Sequence, residues 1–152
     1  MNKKFLMPIL TLFLIGGVLA LYVFATFNFT FGVFESVSAE YRATNQNTNC
    51  STVSSFLYTA VPTSSVALSS VEPADSKRIC LKVSGGGNNP VNIVLGTSGV
   101  GWNSSLIKSY SVKNPSPITF LNSPVYGWVD YNISGDANPS AVFNGSITIG
   151  RE

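Results

Sequence analysis

The sequence predicts an all-β protein, folded as a single two-layer sandwich. Three observations predict it. No stretch after residue 26 carries a sustained helical stripe with caps. Val, Ile, Thr, Phe and Tyr alternate there with polar residues, the period of a half-buried strand. Clusters of Gly, Pro, Asn and Ser interrupt the alternation at short intervals, as in sandwiches and not in sheets built from strand–helix–strand units.

The predicted strands run 26–41, 53–60, 66–71, 78–84, 91–95, 105–112, 117–121, 125–133 and 141–149. Turn chemistry separates them: Pro62 to Ser65, Glu72-Pro73, Gly85 to Pro90, Gly96 to Gly101, Asn114 to Pro117, Ser123-Pro124 and Gly135 to Pro139. Alternation also tells which face is buried. In 125–133 the odd positions are Val125, Gly127, Val129, Tyr131 and Ile133, with Asp130 and Asn132 opposite. In 141–149 the odd face holds Phe143, Ile147 and Ile149, and the even face Asn144, Ser146 and Thr148. A period of two sends the odd sets to the core and the even sets to solvent.

The N-terminus reads differently. Lys3 and Lys4 precede residues 5–25, FLMPILTLFLIGGVLALYVFA, which carry no charge. Val23 and Ala25 supply the small residues of a signal-peptidase site before Thr26, so residues 1–25 are expected to be a cleaved signal peptide. Val37 and Ala39 repeat the same spacing. A competing reading retains the apolar run as a membrane helix, with the lysines on the cytoplasmic side. Either way residues 26–152 lie outside the cell, divided into an extended N-terminal strand, 26–41, and a sandwich domain, 42–152. Beyond residue 25 seven basic and seven acidic residues balance, and no basic patch suggests nucleic acid.

An exported chain with two cysteines is expected to join them, here Cys50 to Cys80. So neutral a surface needs another source of solubility. Five N-x-Ser/Thr sequons, at Asn28, Asn49, Asn103, Asn132 and Asn144, offer N-linked glycans. Those at Asn132 and Asn144 fall on the outward faces of their strands, where a sugar can be carried.

Enzymatic chemistry has little to work with. The chain has no histidine, which removes Ser-His-Asp and Cys-His nucleophiles and imidazole metal sites. No phosphate-binding loop motif is present. Glu72 and Asp75, the nearest carboxylates, flank a proline and read as a turn. We expect no enzyme and no cofactor. An alternative role is a membrane-anchored surface domain that contacts a partner or sugar through Trp102, Tyr126 and Trp128. A type IV pilin with a retained helix ranks below it, because Lys4-Phe5 lacks the Gly of such leaders.

Residues 26–41, TFNFTFGVFESVSAEY, are the most unusual segment. Phe27, Phe29, Phe31 and Val33 share one face, with Asn28 and Thr30 on the other, and only Phe34 and Glu35 break the pattern. Such a face has to be buried, within its own chain or by strand addition to another. A signal followed by an aromatic strand, one cysteine pair and a Ser/Thr/Asn-rich sandwich dense in sequons resembles the archaeal thread filament subunits of Sulfolobus-like organisms. It is similar in plan to bacterial chaperone–usher pilins. The resemblance implies an immunoglobulin-like or pilin-like sandwich and a glycosylated cell-surface homopolymer built by donor-strand complementation. Residues 27–33 would be the donor, and isopeptide links are implied as well. Lys108, on the same face as Leu106, Tyr110 and Val112 in the predicted strand, is the candidate for such a link, against the commoner role of guarding a sheet edge.

Overall fold

The computed structural model describes residues 25–33, 37–62, 66–85, 92–117, 124–137 and 142–151. Residues 1–24, and with them nearly all of the expected signal peptide, lie outside these, as does most of the strand expected at 117–121. Among the described residues nine strands form: β1 (Ala25–Val33), β2 (Val37–Asn45), β3 (Thr59–Ala60), β4 (Val66–Val71), β5 (Ser76–Gly85), β6 (Ile93–Ser98), β7 (Ile107–Lys113), β8 (Val125–Ile133) and β9 (Val142–Arg151). One sheet has the order β4-β1-β9-β6 and the other β3-β2-β5-β8-β7, so the protein is the predicted all-β, sandwich-like fold. Every described strand pair is antiparallel except β1 with β9.

The core follows the alternation. Ile79, Leu81 and Val83 of β5 and Val129, Tyr131 and Ile133 of β8 face Ile93 and Leu95 of β6 and Phe143, Ile147 and Ile149 of β9, all buried. Asn144 and Thr148 are exposed on the far side of β9, as the period of two requires.

Three sequence expectations are corrected. Residues 26–41 are not one extended strand. The chain leaves the first sheet after Val33 and enters the second at Val37, so β1 and β2 belong to different layers. A 16-residue strand would reach about 50 Å, at roughly 3.3 Å per residue. The partners available, β9 and β5, are ten residues each, so the excess would have nothing to pair with. The break falls where Phe34 and Glu35 depart from the alternation. Second, 53–60 is mostly a loop with a 3-10 turn at Ser55–Leu57, and only Thr59–Ala60 is strand. Third, Lys108 is exposed and not inward. The β7–β8 register slips between Ile107 and Ser109, and the extra residue in that bulge is Lys108 itself. It sits on β7, an edge strand, which suits the guarding role and takes away the inward position the isopeptide reading required.

The outer face of the second sheet carries a small second core. The disulfide joins Cys50 to Cys80 with Cα atoms 5.5 Å apart, holding the 46–58 loop down on β5. Tyr58 donates its hydroxyl to the Cys50 carbonyl (2.8 Å), and Val53, Tyr126 and Trp128 pack around the bridge. Arg78 forks onto Asp130 (2.6 and 2.8 Å), donates to the Thr48 carbonyl (2.8 Å) and lies over the Trp128 ring. A bidentate guanidinium–carboxylate pair lets Asp130 be buried at a position that alternation assigns to solvent. Lys82 pairs with Glu40 on the same face.

Because the bridge closes a 30-residue separation, replacing both cysteines by alanine should lower stability by about 3 kcal/mol. A fall in the urea midpoint should match that of the reduced wild-type protein; an unchanged midpoint would show that the loop is held without the bond.

Candidate functional site

The strand singled out by its phenylalanines occupies the middle of a sheet. β1 pairs antiparallel with β4 on one side and parallel with β9 on the other, so both of its edges are hydrogen-bonded. Its partners lie far along the chain: Phe29 stands opposite Gly145, and Val33 opposite Ile149.

Phe29 enters a socket of three aromatic rings. Its centroid is 5.3 Å from Phe143, 5.6 Å from Trp102 and 5.8 Å from Tyr131, all tilted. Trp102 meets Phe143 nearly edge-on at 5.3 Å and Tyr131 at 6.2 Å. These are the separations at which aromatic quadrupoles attract, so the rings add to the area they bury. The socket draws on both sheets and on a second 3-10 turn, Val100–Asn103, which supplies Trp102. The indole donates to the Ser146 carbonyl (3.2 Å), fixing the ring across β9.

Two glycines make room. A Cβ at Gly145 would stand 2.6 Å from Phe143 and 2.8 Å from the Trp102 indole nitrogen, and one at Gly101 would stand 2.4 Å from the Asn144 carbonyl. Any side chain there would push the turn off the strand. Sequence reasoning read Gly96 to Gly101 only as a turn and passed over Gly145. The available signal was the gap that Gly145 leaves on the odd face between Phe143 and Ile147, since a glycine inside a strand marks a close approach.

Burial falls along β1 after Phe29. Phe29 is fully buried, Phe31 is half-buried with its ring 5.1 Å from Tyr41, and Val33 is 38% exposed. Phe27 pairs through its backbone with Phe143 and Leu68; its side chain lies outside the described residues. The structure therefore places the proposed donor residues on one strand, but that strand is completed by its own chain.

The aromatic residues expected to display a binding surface do other work. Trp102 is buried in the socket, while Tyr126 and Trp128 are half-buried as a cover for the disulfide. The surface-contact reading thereby loses the exposed aromatics it invoked. Asp75 accepts the Glu72 amide proton (3.0 Å) and pairs with Lys77 (3.1 Å), closing a turn. Among the described residues no three acidic or cysteine side chains gather as metal ligands, and no helix is long and apolar enough to cross a membrane.

The five sequons are dispersed. Asn28 and Asn144 stand side by side on β1 and β9, Asn132 lies on β8, Asn49 in the disulfide loop, and Asn103 at the end of the second 3-10 turn. No family model matches the chain, and no curated protein is a detectable relative.

Phe29→Ala should lower the stability of the dilute monomer by about 3–5 kcal/mol, the range for emptying an aromatic site in a core. A loss under 1 kcal/mol by urea unfolding would mean that β1 is not part of the folded unit.

A second expectation concerns alkaline pH. Burial pushes the Tyr58 hydroxyl up from 10.0 to about 12; Tyr126 adds to this and Arg42 opposes it. Burial, with Asp75 adding, drives Tyr131 upward as well. A raised folded value means that the stabilising effect is complete below the unfolded value near 10 and is lost as pH climbs through the folded one. Stability should thus hold to about pH 10 and fall toward pH 12, and Tyr58→Phe should flatten the decline. A titration by circular dichroism that shows no loss above pH 10 would contradict this.

Proposed function

We propose that this chain is the structural subunit of an extracellular, glycosylated cell-surface filament in which β1 of one copy completes the first sheet of the next. The position of β1 carries the reading. It is the first strand described, it is central in its sheet, and only three residues separate it from the next strand in the other layer. Without it, β4 and β9 would present two bare inner edges and an empty aromatic socket. A second copy's β1 entering in the same direction would satisfy the same main-chain hydrogen bonds, a reversed one would pair both edges in the other ladder pattern, and either could place its Phe29 among Trp102, Tyr131 and Phe143. The strand order thus supports the resemblance to thread subunits, which otherwise stands on overall plan.

The short connection restricts how copies can join. Three residues place Val33 and Val37 at the same end of the sandwich. A donor inserted in the direction seen within the chain, parallel to β9, brings like ends of two copies together. That arrangement closes on itself as a two-fold exchanged pair. A donor inserted in the reverse direction joins unlike ends and propagates head to tail. The filament reading therefore requires an antiparallel donor, and a surface-displayed exchanged dimer is the second reading, favoured by the parallel direction within the chain.

Paired cysteines separate them. Asn28 stands opposite Asn144 in the parallel register. A reversed donor that keeps Phe29 opposite Gly145 puts Thr30 opposite Asn144 instead. On non-reducing gels of assembled material, Thr30→Cys with Asn144→Cys should give a ladder of linked copies. A linked dimer from Asn28→Cys with Asn144→Cys, and no ladder from the other pair, would replace the filament with the closed dimer. A protein that stays monomeric at millimolar concentration would remove both.

A further inference from the structure

We propose that the folded chain sorts its five sequons, so that N-linked glycans are carried at Asn49, Asn103 and Asn144 and are excluded from Asn28 and Asn132. The inference rests on the glycoprotein reading above and adds which asparagines are acceptors. In N-glycosylation the side-chain Nδ2 forms a bond to the anomeric carbon of a sugar activated on a phosphate carrier. The bond from that carbon to the phosphate oxygen breaks, and one amide proton is lost. An acceptor must therefore present its Nδ2 to the outside.

Asn132 does not. Its Nδ2 donates to Ser109 Oγ (2.8 Å) and its Oδ1 accepts from Ser76 Oγ (2.7 Å). The amide is a strut across three neighbouring strands, β5, β8 and β7, and the residue is half-buried. Asn28 is half-buried too, on a central strand between Ala67 of β4 and Asn144 of β9. In the parallel register its Nδ2 donates to Asn144 Oδ1 (3.1 Å), and in a reversed donor the residue would still lie on a central strand between β4 and β9. A sugar on either nitrogen leaves it a single N–H, so the contact survives only where the bonded proton is the one retained, and the sugar then stands against the neighbouring strand.

The other three present the opposite geometry. Asn144 is exposed and uses only its Oδ1, as the acceptor for Asn28, which leaves its Nδ2 directed away from the pair. Asn49 is exposed; its Oδ1 accepts from the Ser51 amide (3.1 Å) and the Ser51 hydroxyl (2.9 Å), again sparing the nitrogen. The hydroxyl in that contact is the sequon's own. Asn103 is exposed, and among the described residues no hydrogen bond engages its amide. The sorting does not depend on when transfer occurs. Transfer after folding meets a tied nitrogen at Asn28 and Asn132. Transfer before folding leaves a sugar at a half-buried site, and those molecules fold less well and are depleted from the mature product.

Glycopeptide mapping of protein isolated from its own cells tests this. Glycan should be found on Asn49, Asn103 and Asn144, with at least tenfold lower occupancy at Asn28 and Asn132. Ser109→Ala, on an exposed position, removes the acceptor for Asn132 Nδ2 and should raise occupancy at Asn132 alone. Glycan on all five sequons, or an Asn132 occupancy unmoved by Ser109→Ala, would overturn the sorting and leave the glycoprotein reading standing. Absence of glycan from all five would remove both.

Discussion

The insertion of Phe29 between Trp102, Tyr131 and Phe143 ties together parts of the chain that no local interaction could join. Phe143 belongs to the same sheet as Phe29, Tyr131 to the facing sheet, and Trp102 to the turn that carries the chain from one sheet to the other. The other placements follow from it. The turn has to lie flat on β9, so positions 101 and 145 are glycines. The indole crosses β9 and reaches the Ser146 carbonyl, which fixes the strand's end of the socket. β1 has to be central, because only a strand flanked on both sides can hold its inward ring over the middle of the core.

The second sheet solves a different problem. Its outer face would be open to water, and a charge-poor chain has few residues with which to cover it. The cover is a loop pinned by one disulfide, under which Tyr58, Tyr126 and Trp128 form a satellite core. Arg78 fastens the near end of that loop through Thr48 and at the same time neutralises Asp130. Breaking that pair by removing one partner would leave a buried charge uncompensated, a larger loss than the pair's own net contribution. The two sheets are thus stabilised by different means, a ring cluster inside and a bridged polar and aromatic layer outside.

Much of this was legible in the sequence wherever the period of two decides. The odd faces of β8 and β9, the outward Asn132 and Asn144 and the single cysteine pair all follow from local alternation and composition. What could not be read depends on register. One bulge residue at Lys108 turns that side chain outward and puts Ile107 in the core, while Tyr110 and Val112 keep the expected face, and nothing in the local pattern marks it. Phe34 and Glu35 did mark a break in the first strand, but alternation resumes in phase after them, and phase says nothing about a change of sheet. Trp102 was expected at a contact surface and is buried, because it lies in a turn whose path across β9 no local pattern reveals. The glycines permit close packing of that turn on β9. Asp130 sits at an outward position and is nevertheless buried, because its partner Arg78 is 52 residues away and alternation carries no information about pairing at that distance.

The same topology sets the terms on which β1 could serve another copy. β1 pairs with β9 more than a hundred residues later, so the first sheet is incomplete until the last strand is in place. Until then β1 lacks its β9 partner, and the proposed exchange would have to occur at that stage. Once the chain is complete, a tether of three residues gives β1 an effective concentration in its own groove of order millimolar or more. A neighbour's groove entered in the same direction offers β1 the same hydrogen bonds and the same socket. Exchange is therefore close to neutral in interaction energy and is opposed by the entropy of joining copies. Polymer needs one of two further contributions: an export route that presents a neighbour's groove before the chain's own is finished, or a new interface between successive sandwiches. An antiparallel donor supplies the second. It brings unlike ends together, creates an interface that the closed monomer lacks, and repeats that interface at every joint, whereas a parallel donor makes its new interface once and stops.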